Sequence, residues 1–212
     1  MSDERVDSDR TRLLRRALRL EWLTVGWNAV EGVIAVVAAL AAGSVALLGF
    51  GIDSFVETVS GAVILWRLGA ERRARDEARI DRVEGMARRG VAISLWLLAL
   101  YVAADATTAL VSGERPSASA VGVALLVVSL AVMKWLANSK RAVAIALHSH
   151  AMEADAAQTD FCWKLSAVAL VGLVANAVLG WWWADPLAAL GLAALIATEA
   201  RRTWKLGAAC CG

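Results

Sequence analysis

Hydrophobic positions in this chain fall in long blocks, not in short alternating runs. Residues 20–42, 44–68, 90–112, 116–137 and 185–205 are each dominated by Val, Ile, Leu, Ala and Gly. A sixth block is the later part of 141–180, after a polar opening. A helix needs about 20 apolar residues to cross the hydrocarbon core of a bilayer. In lipid only helices and closed barrels pair all their backbone groups. The pattern therefore predicts an all-α membrane protein with six transmembrane helices, the fifth carried by one long helix over 141–180. Pro116 and Pro186 stand at span starts, where a missing N–H costs little, and Ala42-Gly43-Ser44 makes the first turn.

Composition strengthens this picture. Hydrophobic residues make up 59% of the chain, above the roughly 45–50% of soluble domains. Ten tryptophans against one tyrosine fit a chain that meets the membrane–water interface, which Trp favours. The charged head before the first block lacks a short apolar region with a cleavage site, so that block is read as a span and not a signal peptide. A net charge of +2 gives no broad attraction to nucleic acid. Cys162, Cys210 and Cys211 form no CxxC pair, and no disulfide framework is expected.

The positive charges sort by side. All but two of the 22 Lys and Arg lie before span one, between spans two and three, between spans four and five, or after span six. The exceptions are Arg115 and Lys164. The positive-inside rule makes the crowded side cytoplasmic, with both termini there and a multi-pass placement in the cell membrane. The expected organisation is a basic cytoplasmic segment over 1–19, a six-helix domain over 20–205 and a short cytoplasmic tail over 206–212. The link between spans two and three mixes acids and bases and is read as a solvated helical extension with i, i+4 pairs.

Against this apolar background several polar residues stand out. Asn28 and Glu31 share one face of span one, and Asp53 and Glu57 share one face of span two, because three or four residues is about one helical turn. Asp105 lies in span three, and Glu153, Asp155, Gln158, Asp160, Cys162, Lys164 and Ser166 in the first part of span five. An acid at the bilayer centre costs roughly 2.5–3.5 kcal/mol on insertion scales. Asp105 and Lys164 read as helix-bridging polar groups, and Asn28 and Glu31 as supporting residues. Asp53 and Glu57 are different, because two like charges on one face repel and make poor glue. A cation or proton between them gives them a purpose. Gln158, Cys162 and Ser166 share a face of span five. Cys162 is either a small buried hydrophobe or a thiolate ligand. Thiolate with carboxylates suits zinc or a similar borderline ion, with Gln158 as a further contact or an orienting group. Asp155 and Asp160 are candidates for an entrance funnel, and His150 for a residue at its mouth. His148 and His150 point to different faces and do not make a joint site.

SVALLGFGIDSFVE, over 44–57, resembles the second span of the cation diffusion facilitator family. That span has Ser-x-Ala-Leu followed by Asp-Ser-x-x-Asp. Ser44, Ala46, Leu47, Asp53 and Ser54 match, and Glu57 stands where the second Asp is expected. Ala184, Asp185 and Pro186 resemble the start of the family's sixth span. In span five Ala154-Asp155-Ala156 leads to Gln158, Cys162 and Ser166 at the family's spacing, with Gln in place of His and Cys in place of Asp. The resemblance is to a short branch without the family's usual C-terminal cytoplasmic domain.

The resemblance implies export of a divalent cation from the cytoplasm in exchange for protons. Zn2+ is the first expectation; Cd2+, Co2+, Mn2+ and Fe2+ are alternatives. It implies Asp53, Glu57, Cys162 and Gln158 as metal contacts, with Asp155, Asp160, Asn28, Glu31 and His150 at the entrance or in support. The expected partners are the ion, protons, the lipid bilayer and a second copy in a homodimer. No enzyme is expected, since no nucleophile–base set, phosphate-cradling loop or metalloprotease motif is present. The alternative is a membrane protein that binds metal as a sensor or modulator of a partner without transporting it.

Overall fold

The computed structural model describes the backbone of residues 2–71, 77–113, 116–117, 119–147 and 150–209. Side chains are described from residue 11 to 205, apart from 63–64, 67–88, 114–115, 118, 148–151 and 154. The described residues form six helices: α1 (Ser2–Ala42), α2 (Val45–Glu71), α3 (Glu77–Ser112), α4 (Ala120–Leu147), α5 (His150–Leu179) and α6 (Ala184–Ala209). Five of them contain stretches long and apolar enough to cross a membrane: Thr11–Ala42, Val45–Ala62, Arg89–Ser112, Ala120–Leu147 and Asp155–Leu179. The apolar stretch of α6 is shorter, closed by Asp185 at one end and by Glu199, Arg201 and Arg202 at the other.

One boundary differs from the sequence expectation. Residues 141–147 continue α4 and do not open the fifth helix, which starts at His150. The buried face of α4 explains this. Met133, Leu136, Ala137, Lys140, Val143 and Ala144 are all buried at helical spacing, with no breaker among them, so one continuous helix keeps a single face inward.

The strongest packing joins α1 to α2, α4 to α5 and α3 to α6. α2 is the central element, touching α1, α3, α5 and α6. The main core gathers Phe50, Leu126, Leu165, Leu192 and Ile196. The outer surface is apolar: Leu40, Leu100, Val111, Val171 and Val178 are all at least 70% exposed. So much contiguous apolar surface is a liability in water and the normal coat of a lipid-facing bundle. Exposed Trp181 and Trp183 stack at the α5–α6 turn, while Trp22, Trp66 and Trp204 lie exposed toward the opposite end, as two interfacial belts require.

Two local devices set the position of α2. Gly43 turns the chain at φ +69°, a backbone conformation that costs Gly least. Beyond it, Ser44 and Asp185 cap the helix together. The Ser44 hydroxyl donates to Asp185 Oδ1 at 2.6 Å and accepts from the Leu47 N–H at 3.1 Å. The Val45 N–H donates to Asp185 Oδ2 at 3.0 Å. Orphan amides at a helix start are satisfied best by such oxygens, and here one comes from α6. The second device is close contact between α1 and α2. A Cβ on Gly51 would stand 3.0 Å from both Ala35 Cβ and the Val36 backbone nitrogen, and one on Gly32 would stand 3.2 Å from the Gly51 carbonyl oxygen. Small residues there let the two backbones meet.

Candidate metal centre

That close approach sets the polar face of α1 against the acids of α2. Asn28 and Glu31 are fully buried, and Asp53 and Glu57 are only 5% and 6% exposed. Counted from the turn at Gly43, with a rise of about 1.5 Å per residue, Glu31 sits at a depth between those of Asp53 and Glu57. α5 brings Cys162, also buried, whose thiol donates to Asp53 Oδ2 at 3.7 Å. Glu57 lies beside both Cys162 and Asn28, and Glu31 lies beside Ser129 of α4 and Trp27. Four helices thus contribute to one buried polar cluster.

The cluster is poorly paired. Neither atom of the Asn28 amide, neither oxygen of Glu31, nor Glu57 Oε2 has a hydrogen-bond partner. Among the described residues no Lys or Arg is within ion-pair distance of Glu31, Asp53 or Glu57. Leaving a buried polar atom unpaired costs about 1–3 kcal/mol, and more for a charge. Three acids with one thiol form a set of oxygen donors and a sulfur donor, suited to a divalent cation or to protons. In these rotamers, among the described residues, no three His, Cys, Asp or Glu side chains share a single coordination sphere.

The remaining candidates lie elsewhere. Gln158 Oε1 accepts from Ser60 at 3.2 Å, about a turn from Glu57 toward the basic end. Ser166 donates to the Cys162 carbonyl and shares a 3.0 Å hydrogen bond with Ser129. Ser54 donates to the Phe50 carbonyl of its own helix, not toward the acids. Asp160 lies between Lys134 at 3.0 Å and Lys164 at 3.2 Å. Asp105 is half-buried on α3. His150 opens α5, and its side chain, like His148, lies outside the described residues.

Asp155 belongs to a second buried cluster that sequence reasoning missed. Lys140 of α4, with its side chain fully buried, stands 3.0 Å from Glu21 Oε1 of α1 and 2.7 Å from Asp155 Oδ2 of α5. Its ammonium also donates to Thr159 Oγ1 at 3.2 Å. The sequence reading counted Lys140 among the charges of the link between spans four and five; in the structure it lies within α4 and is buried in the bundle. The signal was present in the apolar spacing of α4, which places residue 140 on the face of Met133, Leu136 and Ala137.

Comparison with known proteins follows the same residues. A family model described as the cation efflux transmembrane domain matches residues 22–207. The magnetosome protein MamB of Magnetospira sp. (strain QH-2) is 27% identical over 179 residues. That alignment covers 83% of this chain and 59% of MamB, so the chain spans less than two thirds of that relative's length.

Proposed function

This chain belongs to the cation efflux family, and from that premise we propose that it carries a divalent metal cation across the membrane, Zn2+ or a similar ion, out of the cytoplasm in exchange for protons. The observation that carries the reading is the unpaired acid cluster. Asp53 and Glu57 are buried at membrane depth, meet Cys162 of α5, and have no cationic side chain in ion-pair range among the described residues. Carboxylates hold either a metal ion or protons, and metal binding releases protons from its ligands. An ion arriving from one side displaces protons, and protons arriving from the other displace the ion. Rocking of the helices between two open states turns that competition into antiport. Asp53 and Glu57 are the primary ligands and proton carriers in this reading, and Cys162 is a third contact. Gln158, engaged with Ser60, orients α5 against α2.

The test is flux in vesicles. Purified protein is reconstituted with an internal metal-sensitive dye and a pH gradient, and zinc, cadmium, cobalt, manganese and iron(II) are offered in turn. Proton-coupled uptake of one ion, abolished by Asp53→Ala in a protein that still inserts, is the expected result. Uptake of none, with metal still bound in calorimetry, replaces transport by the sensor or modulator role.

A further inference from the structure

We infer that α1 supplies two direct ligands, Glu31 and Asn28, to the cation held by Asp53 and Glu57, so that the ion sits among α1, α2 and α5. The inference rests on the reading of the acid cluster given above and extends it to a helix that the spacing of acids on α2 does not implicate.

Three observations converge. Both side chains are 0% exposed, and all four of their polar side-chain atoms lack a hydrogen-bond partner. Other buried acids of the bundle have a charge or donor of the protein at hand: Glu21, though its Oε2 has no hydrogen-bond partner either, and Asp155 stand 3.0 and 2.7 Å from the Lys140 ammonium, and Asp185 accepts from Ser44 and the start of α2. An amide and a carboxylate left without partners on one helix face are expensive in an apolar bundle, unless a ligand completes them. The second observation is position. Asn28 lies beside Glu57, and Glu31 is in electrostatic range of Glu57. The third is the backbone contact at Gly32 and Gly51, which brings α1 against α2 one residue from Glu31 and two from Asp53.

The chemistry fits a divalent cation. Carboxylates and an amide carbonyl are oxygen donors for such ions, and Cys162 adds a sulfur. In this proposal the side-chain torsions of Glu31 and Glu57 change on binding, because the donors do not share one coordination sphere in the metal-free rotamers. Asn28 presents its Oδ1 to the metal. Trp27 Nε1, unpaired in the metal-free structure and next to Glu31, is placed to donate to the Glu31 carboxylate once that side chain turns to the ion, as outer partners of metal ligands do.

Full-length protein in detergent tests this by calorimetric titration with zinc, cadmium, cobalt, manganese and iron(II) chloride in turn, alongside metal-free thermal unfolding. Wild type binds one or more ions, Asp53→Asn removes binding, and Glu31→Gln weakens it about tenfold or more without lowering the metal-free unfolding temperature. Glu31→Asp, which keeps the charge, recovers part of the loss. Cadmium X-ray absorption then shows fewer oxygen neighbours in Glu31→Gln, with the sulfur neighbour retained. Wild-type affinity in Glu31→Gln while Asp53→Asn is inactive overturns the α1 ligands and leaves the transport reading standing. Weaker binding with a lowered metal-free unfolding temperature and unchanged cadmium neighbours overturns it as well, making Glu31 structural. Binding undisturbed by Asp53→Asn, or absent in wild type for every ion, sinks both.

Discussion

Two buried polar clusters share the bundle, and they solve the same problem in opposite ways. Glu21 and Glu31 lie on one face of α1, ten residues and roughly 15 Å apart. Around Glu21 the protein supplies its own cation: Lys140 reaches Glu21 and Asp155 at 3.0 and 2.7 Å and is hydrogen-bonded to Thr159. Around Glu31 it supplies none among the described residues, and gathers Asp53, Glu57, Asn28 and Cys162 instead. Both clusters tie α1 to its neighbours. The first has its counter-charge from the protein itself, in Lys140, and ties α1, α4 and α5 together. The second has no such counter-charge among the described residues, and in the proposed reading an exchangeable cation completes it. Buried acid by itself is therefore a poor mark of function; acid without a resident lysine is the sharper one.

The comparison breaks most visibly if lysine is removed from the first cluster. Lys140→Met leaves two buried carboxylates without their counter-charge. It is expected to destabilise the protein by about 3–5 kcal/mol, the cost of breaking a buried pair, read as a lowered thermal unfolding midpoint. Neutralising the whole set, Glu21→Gln with Lys140→Met and Asp155→Asn, recovers most of that loss. The second cluster responds in the other sense. Asp53→Asn replaces a buried carboxyl that has no lysine or arginine partner among the described residues by a neutral amide of the same size, so metal-free stability does not fall, while metal affinity measured by calorimetry drops about 100-fold or more, beyond what changes to outer partners cause. A fall in metal-free stability with intact affinity would erase the distinction.

Asp185 sharpens it from a third direction. This buried acid is satisfied by neutral donors, the Ser44 hydroxyl and the first amides of α2. Asp185→Ala strips the start of α2 of its cap and is expected to cost about 1–3 kcal/mol, with metal affinity of the folded protein changed little. The smallest effect belongs to Cys162→Ser. Serine is a little smaller and removes only a weak, long S–H···O contact to Asp53, so stability shifts by about 1 kcal/mol. Affinity for zinc and cadmium falls relative to manganese, because the sulfur donor is lost.

Much of this was legible in the sequence. Long apolar blocks gave the helices, and Asp53 and Glu57 declared themselves because acids a turn apart have no cheap place in lipid. The face of α1 was legible in part: Asn28 and Glu31 were recognisable as a pair. That Glu21 lies on the same buried stripe, with Ala17, Thr24 and Ala35, went unread because it sits at the charged end of the span. Lys140 was obscured for the same reason, as a lysine near a basic link counts toward topology until the helix is seen to continue to Leu147. The cap on α2 was beyond reach. Ser44 and Asp185 are 141 residues apart, and no local pattern records which helix end borrows an acid from another.

The most direct test of the central claim is to locate a bound ion. Anomalous diffraction from crystals grown with cadmium should show a peak among Asp53, Glu57, Cys162 and the α1 side chains Glu31 and Asn28, and none at Glu21–Lys140–Asp155. A peak only at the surface near Asp160, or none in the bundle at saturating cadmium, would contradict the account.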